Sequence, residues 1–317
     1  MGIFRRSHIG VDIGGASIKV VKLRLRSSQI QVVKAGLIET PPRAYSAGAI
    51  VDPPLLAKAL GELWRKVGLG KKKPVLLALS GPRVYYRMLT MPIIPQEELK
   101  KALEWELEDY LPFSAQEAVF ACLSPGNGKA SETRLGKHLL IAVEKEIVAG
   151  YLKGLTLSGL EAKVLEPKPL ALLRTVDQGE VVSLYVLIEY KYITFIISTP
   201  GKIPFIRVVP WEIPVRKGSP LSVTRGELLQ ECKSTLQYYQ AHGLGDAPQR
   251  LVLYSDKEID NCSLLKELAA GLGLPAQWAG LGKTKLTWLA EIPEEERFLF
   301  AAAIGLGLRG VVANGGY

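Results

Sequence analysis

The residues with the clearest chemical content lie near the start of the chain, in the run Gly10-Val11-Asp12-Ile13-Gly14-Gly15-Ala16-Ser17-Ile18-Lys19. Apolar residues on either side read as two strands, and the glycines between them as a tight turn. Amides in such a turn can point at a phosphate, and glycine lets that phosphate approach the backbone. Asp12, at the end of the first strand, has the chemistry to hold a hydrated Mg²⁺, an ion that keeps several waters and takes few protein carboxylates. Gly14, Gly15, Ser17 and Lys19 complete a candidate phosphate cradle. A Gly-rich turn with no ligand would use the same residue types, so the elements around the motif must decide.

A cradle of this kind needs a sheet beneath it. Ile9 to Ile13, Ile18 to Leu25 and Ile30 to Ile38 read as three consecutive strands. A Pro-, Ala- and Gly-rich stretch from Pro41 to Pro54 reads as a loop. Leu55, Leu56, Ala59, Leu60, Leu63, Trp64 and Val67 then recur at helical spacing, with Gly68 and Gly70 as the stop. Val75 to Leu79 is apolar throughout, as in a strand covered on both faces. Val84 to Met91 is a strand that Pro92 should end, and Glu97 to Tyr110 is an amphipathic helix. Strands at Ala118 to Leu123 and His138 to Val143 flank a polar tip from Ser124 to Lys137. A helix from Glu146 to Ser158, a strand at Lys163 to Leu165 and a helix from Pro169 to Val176 follow.

Composition breaks near Asp177 to Glu180, and the pattern restarts. Val181 to Ile188, Ile193 to Ser198 and Ile203 to Val209 form a second set of three strands. A helix from Gly226 to His242, a strand from Arg250 to Tyr254 and a helix from Ser263 to Leu272 come next. A last helix, Glu294 to Leu308, is entered through Pro293. The fold class is therefore α/β, built from one architecture used twice.

Bulk properties narrow the function. The 317 residues are 48% hydrophobic, enough for a core in each of two domains. The formal charge of +9 comes from scattered Lys and Arg, whose dense runs are Arg5-Arg6, Arg24 with Arg26, and Lys71-Lys72-Lys73. No basic stripe interleaved with aromatics is present, which argues against nucleic acid. Cys122, Cys232 and Cys262 are too few and too scattered for a disulfide frame, and fit a reducing compartment. Neither a secretory leader nor a run of 18 apolar residues is found, so a cytoplasmic location is expected. Gly280-Leu281-Gly282-Lys283-Thr284 and Gly126-Asn127-Gly128-Lys129 imitate a P-loop ending but lack its first glycine, and read as surface turns. The acidic helix around Glu104 and Glu108 reads as a solvated face.

The first loop resembles the phosphate loop of the actin, sugar kinase and Hsp70 superfamily. Two further segments sharpen the resemblance. One is Arg87-Met88-Leu89-Thr90-Met91-Pro92 with the acidic helix closing on Tyr110-Leu111-Pro112-Phe113. The other is Ala302-Ala303-Ile304-Gly305-Leu306-Gly307-Leu308-Arg309-Gly310, whose glycines permit a close helix approach beside a nucleotide. Together they make the chain similar to the PilM family of type IV pilus assembly proteins, itself similar to the cell-division protein FtsA. The resemblance implies an actin-like, ribonuclease H-like duplicated fold with an FtsA-type inserted subdomain. The expected boundaries are a first domain over 1–178 with its insertion at about 84–165, a second over 179–292, and a C-terminal helix over 293–317 that returns to the first.

ATP and Mg²⁺ are the cofactors that the resemblance implies, with Asp12, Gly14, Gly15, Ser17, Lys19, Glu189, Ser255 and Gly305 as the cofactor residues. Two of the three nucleotide elements are degraded. The second phosphate loop lacks glycine at Glu189-Tyr190-Lys191, where Glu189 is the replacement carboxylate. The adenosine loop lacks it at Ser255-Asp256-Lys257-Glu258. Phosphoryl transfer depends on positioning and metal charge, so an adaptor is expected in place of an efficient ATPase. The implied partners are the N-terminal peptide of a PilN-like inner-membrane protein and the pilus assembly ATPases. Membrane contact is expected only through partners, and self-association stays open. The peptide groove, between the first subdomain and the insertion, is assigned to Tyr85, Met88, Met91, Ile93 and Ile94. The competing readings are a sugar or acetate kinase-type phosphotransferase and the cytoplasmic domain of an L-type type II secretion protein.

Overall fold

The computed structural model describes residues 7–26, 29–70, 74–124, 131–176, 180–199, 201–202, 204–211, 225–255, 261–282 and 286–311. The basic runs at 5–6 and 71–73, the turn at 126–129, most of the composition break at 177–180 and most of the adenosine loop lie outside these residues.

In chain order, β1 (Ser7–Ile13), β2 (Ser17–Arg26) and β3 (Gln29–Glu39) form a meander. A small hairpin, β4 (Tyr45–Ser46) and β5 (Ala49–Ile50), breaks the expected loop before α1 (Pro53–Val67). Asp52 caps α1 by accepting from the Leu55 amide at 2.9 Å, and Gly68 ends it at φ 64°. β6 (Val75–Leu79), β7 (Val84–Ile93), α2 (Gln96–Tyr110), β8 (Ala118–Leu123), β9 (Ser131–Glu144) and α3 (Lys145–Leu157) follow. β10 (Ala162–Pro167) and α4 (Lys168–Leu173) close the first half. The second half runs through β11 (Ser183–Glu189), β12 (Tyr192–Ser198), β13 (Phe205–Pro210), α5 (Arg225–Ala241), β14 (Arg250–Ser255), α6 (Asn261–Leu272) and β15 (Ala276–Trp278). β16 (Leu286–Trp288) and α7 (Ala301–Val311) then return to the first half.

The doubling expected from the strand pattern is exact in topology. The first sheet has the order β10-β6-β1-β2-β3-β16, and the second β13-β12-β11-β14-β15. In each, an antiparallel meander of three strands continues into two parallel ones: β1 to β6 to β10, and β11 to β14 to β15. β6, β11 and β12 are buried along their whole length, which accounts for their unbroken apolar runs. The three-residue strands β15 and β16 are too short for a periodic signal.

Between β6 and α3 the chain builds a separate sheet, β7-β9-β8. Leu99, Leu103 and Leu107 of α2 pack on it against Leu89, Leu140 and Ala142. α3 packs on α1, and β10 lies in the first sheet, so residues 145–165, grouped with the insertion on sequence, belong with the first half. Pro92 does not end β7. The strand reaches Ile93 through a register shift at Pro92, which an edge strand tolerates because no neighbour needs the missing amide. β9 likewise begins at Ser131, earlier than the apolar run at His138.

α7 is shorter than the single helix expected from 294 to 308. Residues Glu294–Phe300 form a 3₁₀ segment, and the α-helix starts at Ala301. It lies on β1 and α4 at backbone distance. A Cβ on Gly10 would come within 2.0 Å of the Ala303 carbonyl oxygen, and one on Gly305 within 1.8 Å of that of Ala171.

Two outcomes follow from this packing. Gly305→Ala must push α7 away from α4 and is expected to cost at least the ~1–3 kcal/mol usual for overpacking, read as a lower urea midpoint. An unchanged midpoint would show that the contact is dispensable. In the inserted sheet, His138 lies within 3.1 Å of Ser124 Oγ and 3.3 Å of the Met91 carbonyl, and burial pushes its imidazole below its ordinary value. The unfolded chain therefore takes up this proton first, at about pH 6.5. Stability from this group is full above that pH and is lost as pH falls through it. Replacement by Gln should flatten the slope of urea midpoint against pH between about 7 and 5, and an identical slope would exclude His138 as its source.

Candidate functional site

The two meanders bring their first hairpins face to face. In the β1–β2 hairpin Asp12 and Lys19 are direct cross-strand partners, and both side chains are buried. Lys19 Nζ stands 3.9 Å from Asp12 Oδ2. The turn is tied into the fold: Gly14 N–H donates to the Ser17 carbonyl at 3.0 Å, and the Ala16 carbonyl accepts from Thr40 N–H at 3.1 Å. Thr40 Oγ1 donates to the Gly14 carbonyl at 2.6 Å. Above the turn lies Tyr190, whose Cδ1 would stand 3.1 Å from a Cβ on Gly15. Tyr190 thus covers the surface where a phosphate would approach.

Glu189 enters from β11 in a different register. Counting back from the two-residue turns Gly15-Ala16 and Tyr190-Lys191, Leu187 holds the position of Asp12. The Glu189 carboxylate nevertheless reaches the same centre, because a third residue draws both acids together. Lys168, the first residue of α4, places its Nζ 2.8 Å from Glu189 Oε1 and 3.4 Å from Asp12 Oδ2. All three side chains are buried. Desolvating such charges costs several kcal/mol each unless they are paired. Here two carboxylates, Asp12 and Glu189, face two ammonium groups, Lys19 and Lys168, and the formal charges cancel.

Phenols complete the cluster. The Tyr192 hydroxyl lies 3.0 Å from Glu189 Oε1, 2.9 Å from Ser80 Oγ and 3.2 Å from the Tyr45 hydroxyl. Burial pushes Tyr45 up to about 12 and Tyr192 well above the ordinary phenol range, so both stay protonated donors. Asp12, Tyr45, Ser80 and Lys168 come from the first half, and Glu189 and Tyr192 from the second. The cluster therefore joins the two halves.

A hydrated Mg²⁺ does not fit these residues. The Asp12 carboxylate has no exposed surface and faces two ammonium groups, so a divalent cation would have to displace Lys168. Among the described residues no three His, Cys, Asp or Glu side chains are grouped to hold a metal. Lys168 stands where Asp12, expected as a metal ligand, and Glu189, expected as its counterpart in a second phosphate loop, converge. It is hydrogen-bonded to Glu189, while neither Asp12 oxygen has a hydrogen-bond partner among the described residues. Ser255 ends β14 opposite Ile188, and Gly305 serves the contact of α7 with α4.

Tyr45, Ser80, Lys168 and Tyr192 were not singled out on sequence. Only Lys168 carries a signal: it is a lone cation before the apolar run Pro169 to Leu173, at the end of a helix where a cation is disfavoured.

A second feature lies between the insertion and the second half. β7 is an edge of its sheet and β13 an edge of the other, and they face each other across a cavity of about 580 Å³. Tyr85, Arg87, Met88 and Thr90 line one side; Phe205, Arg207, Tyr238 and His242 line the other. Phe205 stacks on Tyr238, and Tyr238 on His242. Arg207 is held by Glu231 at 2.9 Å and Thr235 at 2.7 Å. Lys137 of the insertion donates to the Gly243 carbonyl. Of the five residues assigned to a groove, Tyr85 and Met88 meet here, on the side facing the second half rather than the first. Met91 and Ile94 pack beneath α2, and Ile93 does not reach the cavity.

The family model for type IV pilus assembly protein PilM matches residues 10–181. The structure of a PilM–PilN type IV pilus biogenesis complex superposes with a TM-score of 0.80 at 24% identity, over 97% of this chain and 99% of that one. The cytoplasmic domain of EpsL, an inner-membrane component of the Vibrio cholerae type II secretion system, gives 0.53 at 14%, over 98% and 97%. A Bacteroides thetaiotaomicron protein of unknown function with an actin-like ATPase fold gives 0.51 at 9%, over 87% and 93%. A search of the curated proteins found no match. The fold is the actin-like duplicated one.

Tyr192→Phe removes one hydroxyl from the junction and leaves the Glu189, Ser80 and Tyr45 oxygens to re-pair. A loss of about 1–3 kcal/mol in denaturant unfolding is expected. A variant as stable as the parent would show that Glu189 is satisfied without the phenol, by Lys168 and Thr194.

Proposed function

Because this chain belongs to the PilM family of type IV pilus assembly proteins, we propose that it is a non-enzymatic adaptor that binds an extended peptide between β7 and β13. The observation that carries this reading is the pair of facing sheet edges with Met88 and Phe205 in the gap. An extended segment can add to an open edge through its backbone and place alternate side chains in apolar pockets. The occupant is the N-terminal peptide of a PilN-like inner-membrane protein, and the solved PilM–PilN complex supports that choice. The adaptor then sits at the inner membrane through this partner and passes contacts on to the pilus assembly ATPases. No helix among the described residues is long and apolar enough to cross a membrane. ATP, the ligand implied by the fold, has no catalytic step assigned, because the cleft does not fit the metal that phosphoryl transfer requires.

The test is calorimetric titration of the peptide into the protein and two variants. Met88→Glu puts a charge into the apolar part of the groove and should weaken binding at least tenfold. Trp105→Ala, at a side chain 89% exposed on α2, should leave the affinity unchanged. Equal affinity of Met88→Glu and the parent would move the groove elsewhere.

A further inference from the structure

We propose that Lys168 is a built-in cation standing where this fold would otherwise take a metal, so that the chain's own side chains hold the cleft closed. Its ammonium group lies at the one point where the carboxylates of the two halves converge, 3.4 Å from Asp12 and 2.8 Å from Glu189. That is the task of a bridging divalent ion in a two-domain cleft, performed here by a covalently attached charge. Lys19 supplies the second positive charge, and the quartet is neutral without any ligand. Lys168 and Glu189 are hydrogen-bonded, while Asp12 meets both ammonium groups at ion-pair distance without a hydrogen bond. Removing one member of such a buried set leaves an uncompensated charge. A Mg²⁺ added to the quartet would leave two net positive charges with no exposed surface to disperse them.

Three neighbouring features agree. Tyr190 covers Gly15, so the turn is closed to phosphate from the side of the second half. The Tyr192 hydroxyl crosses from the second half to Ser80 and Tyr45 of the first, adding a neutral clasp beside the ionic one. Lys168 itself opens a helix buried at every position, and so cannot swing out to solvent without moving α4. The cleft and the peptide groove are separate, and either assignment can fail without the other.

The test is Mn²⁺ binding followed by electron paramagnetic resonance. The parent protein is expected to bind no Mn²⁺ saturably, and its melting temperature should not move with Mg²⁺ or with ATP and Mg²⁺. Lys168→Ala leaves two carboxylates facing an empty space; it should bind Mn²⁺ saturably, melt about 5 °C or more higher when Mn²⁺ is added, and lose that binding in combination with Glu189→Gln. Saturable Mn²⁺ binding by the parent, or none by folded Lys168→Ala, overturns the proposal. If Lys168→Ala does not fold, the double variant Asp12→Asn with Lys168→Met, which removes one charge of each sign, should recover folded protein. Its failure to do so would overturn the proposal as well.

Discussion

The close approach of α7 to β1 and α4 is the constraint from which the centre of the molecule follows. Gly10 and Gly305 carry no side chain, so the helix settles on the sheet with only backbone between them. Arg174 fixes the pair by donating to the Gly305 carbonyl at 2.9 Å and to Glu166 at 2.6 Å, and Thr175 Oγ1 donates to the Ala301 carbonyl at 3.0 Å. α4 is thereby held at one height over the sheet, and its first residue is Lys168. An ion pair in a dry interior gains only if its geometry is good. Here the geometry is set beside the pair, by the glycine contacts of α7 and by Arg174 bound to Glu166 and the Gly305 carbonyl.

The duplicated architecture was legible because it is written in local pattern. Apolar alternation, continuous runs in β6 and β11, and the leucine spacing of α2 each report one element and its covered face. The clasp between the halves was not legible. Tyr45 and Tyr192 are 147 residues apart, and nothing in the neighbourhood of either one indicates the other. Lys168 precedes an apolar run, Pro169 to Leu173, that would be equally at home after a leucine. Asp12 was singled out as a carboxylate at the end of β1 that could hold a hydrated Mg²⁺. That Lys168 stands 3.4 Å from it was not legible, because a lysine arriving from a different element leaves no trace in the motif itself. Pro92 misled for a related reason: whether a proline ends a strand depends on having a neighbour, which only topology decides.

The geometry separates two things that the fold usually combines. The space between the halves, where a ligand would govern their angle, is filled by side chains of the chain itself. In the proposed reading, recognition lies at the rim, in the cavity where the inserted sheet meets the second half. An adaptor benefits from this division, since its binding face keeps one shape whatever the supply of small molecules around it.

The facing of β7 and β13 has another consequence. Each strand ends its sheet with unpaired amides and carbonyls on one side, and such edges invite sheet-to-sheet association between molecules. Set opposite each other, the two edges shield one another: a single extended chain can enter the gap, but the folded sheet of a neighbouring molecule cannot. The same arrangement thus guards these two edges, β7 and β13, against pairing between molecules.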